Sequence, residues 1–146
     1  MGEPVPDVRR FIDCLAALHD ESGGYWNDAE SAVPTAPTTA AAVTILRQLQ
    51  AELDPKSADF LLSCFAEGGF RAIPAAPMPD LLSTAVVLHA LSGMHVDCER
   101  IKEPCLDFID TLWTSRGGFH GTWADDDLDA EYTYYGLLAL GHLSVM

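Results

Sequence analysis

The stretch that decides the fold runs from Gly68-Gly69-Phe70 through Asp80-Leu81-Leu82-Ser83-Thr84 into Ala85-Val86-Val87-Leu88, because its pattern is written three times. A glycine pair followed by an aromatic residue also stands at Gly23-Gly24-Tyr25 and at Gly117-Gly118-Phe119. Sixteen residues after the first glycine of each pair comes a threonine: Thr39, Thr84 and Thr133. Behind each threonine, apolar residues return at helical spacing: Val43, Leu46 and Leu49, then Leu88, Leu91 and Met94, then Leu137, Leu140 and Leu143. Ahead of the last two glycine pairs, Asp54-Pro55 and Glu103-Pro104 each read as an acidic N-cap followed by proline at the first helical position. Copies spaced by roughly 45 to 50 residues mark a repeat architecture.

Working outward, the pattern predicts six helices and no strand. An amphipathic outer helix over residues 7–19 carries Phe11, Leu15 and Leu18 on one face; Gly23-Gly24 stops it. A second helix follows over 38–53, and its first half is apolar or small on every side, which requires cover all round. Outer helices are expected again from Asp54-Pro55 to the second glycine pair and over 104–114. Inner helices are expected over 81–93 and 130–144. The whole is read as one domain, 1–146, with repeats at about 5–53, 54–95 and 96–146.

Composition narrows the function. Eight basic against 22 acidic residues leave a formal net charge of -14, which excludes nucleic acid and an anionic membrane surface as natural partners. No apolar run is long enough to span a bilayer, and the first residues lack the regions of a signal peptide. The four cysteines, Cys14, Cys64, Cys98 and Cys105, form no metal-type or disulfide framework and read as reduced, mostly buried thiols of a cytoplasmic protein.

The three glycine–aromatic triplets, the loops after them, and the segments Asp80 to Thr84 and Asp129 to Thr133 resemble the prenyltransferase and squalene-cyclase repeat. That is the helical-hairpin module of protein prenyltransferase β-subunits and class II terpene cyclases. The resemblance implies an all-α, α/α toroid in which inner helices line a central apolar cavity. Full members close the ring with about six hairpins, so three hairpins make half a barrel, and a homodimer is the expected way to complete it. A chain that is one half of a longer protein is the other option.

The resemblance also implies a ligand: an isoprenoid or isoprenoid diphosphate, with possible transferase activity. In protein prenyltransferases a zinc ion held by aspartate, cysteine and histidine lowers the pKa of a substrate thiol. The aspartate column here holds Asp80 and Asp129, the cysteine column Leu82 and Glu131, and the histidine column Thr38, Ser83 and Tyr132. The family's zinc thiolate and imidazole are therefore not reproduced, and whether the chain is an enzyme stays open. Two other functions fit: a non-catalytic helical-repeat binding or assembly module, and a class II terpene cyclase-like enzyme that protonates an alkene with a desolvated carboxylic acid. Asp125-Asp126-Asp127-Leu128-Asp129 does not match the cyclases' aspartate motif.

Candidate residues follow from these readings. Asp129, Glu131 and Tyr132 are the candidate catalytic group. Asp129 and Glu131 with His120 are the candidate metal ligands, for Mg²⁺ or Zn²⁺. Against this stands the plainer reading that acids at a helix start cap free N–H groups. Asp80, Arg71, His89, Trp123 and Tyr135 are the candidate substrate contacts. For His89, a histidine on an apolar helix, and for Tyr135, core packing is the competing account.

Overall fold

The computed structural model describes residues 7–146. The expected start of the first repeat, near residue 5, and the absence of a leader in residues 1–6 lie outside the described residues. Among the latter, six helices alternate as expected: α1 (Val8–Ala17), α2 (Ala36–Gln48), α3 (Lys56–Ser63), α4 (Leu81–Gly93), α5 (Glu99–Leu112) and α6 (Ala130–Val145). The inner helices α2, α4 and α6 lie side by side with α4 between the other two, and α3 and α5 pack outside them.

The repeated residues have structural roles. The first glycine of each pair, Gly23, Gly68 and Gly117, takes a left-handed conformation with φ of 91°, 84° and 93°, which reverses the chain without strain only where there is no Cβ. Each inner helix is capped by the side chain just ahead of it. The Thr35 hydroxyl accepts from the Thr38 N–H, the Asp80 carboxylate from Ser83 N–H at 2.7 Å, and Asp129 from Tyr132 N–H at 2.7 Å. The threonines then tie helix to triplet. Thr39 and Thr84 donate their hydroxyls to the carbonyl four residues earlier and accept the N–H of Tyr25 and Phe70, each at 2.9 Å. These bonds fix the interval from aromatic to threonine in the first two units.

Neighbouring units are joined by a second set of bonds. The first N–H of α2, from Ala36, donates to Ala72 O at 2.7 Å, and that of α4, from Leu81, donates to Gly121 O at 2.8 Å. Ala72 and Gly121 each lie four residues past a unit's first glycine, so α2 and α4 each hand an unsatisfied N–H to the loop of the next unit. Outer helices close the joint: α3 lies over Gly23-Gly24 with the Phe60 ring against Gly24, and α5 lies over Gly68-Gly69 with the Phe108 ring against Gly69.

Burial follows from position in the row. On the central α4, Leu81, Ala85, Val87, Leu88 and Leu91 are all completely buried, which its apolar surface requires. On α2, Ala40, Val43 and Leu46 are buried while Ile45 is exposed. On α6, Ala139 and Leu143 are buried, whereas Tyr134 and Leu137 are 59% and 61% exposed because no further helix flanks them. Cys64, Cys98 and Cys105 are buried, and Cys14 is exposed. Burial pushes the Cys105 thiol up to about 12, so it stays protonated and inert.

Four expectations are corrected. Strands do occur: β1 (Phe65–Ala66) pairs antiparallel with β2 (Gly69–Phe70), and β3 (Trp113–Thr114) with β4 (Gly118–Phe119). The left-handed glycine sends the chain back along the end of the outer helix, and two residues per strand are too few to leave an alternating pattern in sequence. The first helix is shorter than 7–19: Asp7 is its cap, and it ends at Ala17. The second spans Ala36–Gln48 rather than 38–53, because Thr35 caps it and Pro37 is compatible with its first turn; at the far end Gln50 turns left-handed with φ of 56°. The third outer helix starts at Glu99, not Pro104. Pro104 sits inside it, and the extra turn brings Ile101 against the core. Asp54-Pro55 behaves nearly as expected, with Asp54 accepting the Lys56 N–H at 2.9 Å as α3 begins.

Candidate functional site

The three inner helices together shape an apolar groove of about 390 Å³. Pro37, Ala40, Ala41, Thr44 and Ile45 come from α2, Val86 and His89 from α4, and Tyr134, Tyr135 and Leu138 from α6. The small side chains of Ala40 and Ala41 leave the space, Val86 and Leu138 make the floor greasy, and the two tyrosine rings, 5.4 Å apart and edge to face, form one wall. Polar groups are few, which suits a long hydrocarbon held by contact area with one or two orienting hydrogen bonds.

His89 and Tyr135 thus lie where the sequence reading put substrate contacts. His89 has a partner that reading did not find: its Nδ1 is 2.9 Å from His142 Nε2 on α6, with the rings tilted edge to face. Burial, and secondarily the His89 charge, holds His142 below the usual imidazole value, so His142 is neutral near pH 7. The residues are 53 apart in sequence and nothing local marks them as neighbours. Burial raises the phenols of Tyr132 and Tyr135 above the ordinary value. For Tyr132 the carboxylates of Asp125, Asp129, Asp80 and Glu131 push further; for Tyr135, Glu131 does. Both are proton donors rather than bases at neutral pH.

The remaining candidates are dispersed. Asp80 and Asp129 spend their carboxylates on helix caps, and Asp80 also accepts from the Ser83 hydroxyl at 2.7 Å. Asp129 and Glu131 are exposed. His120 has its Nδ1 3.1 Å from the Asp127 carbonyl oxygen. Arg71 pairs with Glu67 at 3.0 Å and donates to Pro74 O. Trp123 is turned onto the outer helix α5, edge to face with Phe108, its indole N–H donating to Thr111 at 2.8 Å. None of these lines the groove. Tyr132 instead covers Gly121, where a Cβ would overlap its ring. Gly121, whose carbonyl serves α4, is a position the sequence reading passed over.

A metal does not fit. Among the described residues no three His, Cys, Asp or Glu side chains converge on a point, so Asp129, Glu131 and His120 are not gathered into one coordination sphere. At the mouths of α4 and α6 the zinc cysteine and histidine columns hold leucine, glutamate, serine and tyrosine. A second polar cluster lies away from the groove: His19 Nε2 sits 3.2 Å from Asp54 Oδ2 with the Tyr25 ring beside it, in a cleft between α1 and the start of α3.

Stacked helical hairpins whose inner helices wall an apolar space define the class of α/α toroid proteins. Within that class, residues 39–145 match the family model of the prenyltransferase alpha-alpha toroid domain, and the chain belongs to that family. No curated protein matches the sequence. Among the described residues no helix is long and apolar enough to cross a membrane.

Proposed function

We propose that the protein is a prenyltransferase-like subunit that holds the hydrocarbon chain of an isoprenoid, free or as its diphosphate, in the groove between α2, α4 and α6. Two copies would complete the wall around it. The reading is carried by the groove itself: an apolar trough drawn from all three inner helices of a chain in this family. In it the tyrosine wall and the His89–His142 pair would meet the polar end. Any chemistry would fall outside the groove, at Asp129, Glu131 and Tyr132, while Asp80, Arg71 and Trp123 are held by Ser83, Glu67 and Thr111; no step is routed through a metal. Among the described residues no metal ligands converge, which favours a second reading, a binding module that retains the ligand but does not turn it over.

Calorimetry with farnesol, farnesyl diphosphate and geranylgeranyl diphosphate, each with and without Mg²⁺, tests the proposal. Binding is expected to be lost in Ala41→Trp, which fills the trough from an exposed position. No heat with any of the three would overturn it. Saturable binding without product from the diphosphates would favour the binding module.

A further inference from the structure

The two ends of the row are unlike, and each lacks what the other carries. At the two internal joints a Cβ on Gly23 would run into the Lys56 backbone, and one on Gly68 would meet Pro104 O at 2.6 Å. At the third unit a Cβ on Gly117 meets nothing within 4 Å. Ala36 and Leu81 give their N–H groups to the next unit's loop, while Ala130, the same position on α6, has no such partner among the described residues. Beside it Trp113, Tyr134 and Leu137 stand half or more exposed. At the opposite end, α1 is an outer helix with no buried residue, and its Phe11 is 50% exposed.

We infer that α1 of a second copy docks over Gly117-Gly118, head to tail, as α3 docks over Gly23-Gly24 and α5 over Gly68-Gly69. This rests on the two-copy reading above and adds the faces. Counting back from the glycine pairs puts Arg10 and Phe11 in the places of Pro104 and Lys56, and Cys14 and Leu15 in those of Phe108 and Phe60. The carbonyl of Asn27 in the second copy, four residues past Gly23, then accepts the Ala130 N–H, as Ala72 and Gly121 accept theirs. Because one chain carries both halves, the contact is heterologous, and two copies related by a two-fold axis form two identical joints. Each copy carries -14, so the joints form against mutual repulsion and tighten as salt screens it.

The test is sedimentation equilibrium of the whole chain and of two surface variants, Phe11→Glu and Leu137→Glu, with circular dichroism to check their helix content. Wild type is expected to sediment as a dimer, more tightly at high salt, and each variant as a monomer. An equimolar mixture of the two restores a dimer, because Leu137 of one variant and Phe11 of the other make one intact joint. A monomeric wild type would overturn the two-copy reading and this one together. A dimer that survives Phe11→Glu, or variants that do not complement, would leave the two-copy reading standing and overturn the head-to-tail docking.

Discussion

Gly68-Gly69-Phe70 and Gly117-Gly118-Phe119 share a sequence and a backbone, with φ of 84° and 93° at the first glycine, yet their surroundings are opposite. Around the second pair the chain is full: Pro104 lies against Gly68, the Phe108 ring is 2.8 Å from where a Cβ on Gly69 would stand, and Thr84 is completely buried. Around the third pair Gly117 looks onto open space, and Thr133 bonds the Asp129 carbonyl but, among the described residues, not the Phe119 N–H. The motif therefore encodes half of a joint. Its glycines are needed partly for the turn and partly because another unit lies on them, and only the third copy separates the two demands.

Substitution at these glycines should give the largest difference between the regions. Gly68→Ala combines left-handed strain of ~1–2 kcal/mol with a clash against helix backbone worth ~1–3 kcal/mol, so a loss of about 3 kcal/mol is expected. Gly117→Ala should lose only the strain, about 1 kcal/mol. Urea denaturation of the two variants under dilute conditions checks this. Equal losses would mean that the glycines serve the turn alone. If a second copy docks on the third unit, the cost of Gly117→Ala should also rise with protein concentration.

The threonines sharpen the comparison at a smaller scale. Thr84→Val keeps the shape but strands the Phe70 N–H and the second bond to Asp80 O in a dry setting, for an expected loss of about 2 kcal/mol. Thr133→Val removes one half-exposed bond and should cost less than about 1 kcal/mol. Denaturation midpoints that shift equally would show that the hydroxyl matters only to its own helix.

The same contrast explains what was legible in the sequence. The all-α architecture, the order of hairpins and the bounds of α4 could be read because they depend on local signals: a left-handed glycine, a capping Asp80, an unbroken apolar helix. Helix ends were misread where tertiary packing overrode the local sign, as at Pro104, which looks like a helix start but is carried inside α5. The candidate site was legible only in part. His89 and Tyr135 reach the groove because they share the inner faces of α4 and α6, and inner faces follow from periodicity. Trp123 and Arg71 do not line it, because loop residues have no periodicity, and their directions are set by Thr111 and Glu67. The His89–His142 contact depends on how two helices 53 residues apart are set side by side, which no spacing within one helix records.

That contact yields the smallest expected effect, and it lies on the seam between the second and third units. His142 is held below the ordinary imidazole value of 6.5, first by burial and then by the His89 charge. A depressed folded value means that the unfolded chain takes up the proton more readily. The associated stability is therefore fully present above pH 6.5 and is lost as the pH falls through the lower folded value. Most carboxylates titrate nearer 4, so the window between about pH 5 and 6.5 reports mainly on imidazoles. Melting temperature should decline across this window in the wild type and decline less in His142→Gln, which keeps a hydrogen-bonding group opposite His89 but cannot become charged. Should His142→Gln melt with the same pH slope, the acid sensitivity arises elsewhere than at the α4–α6 interface.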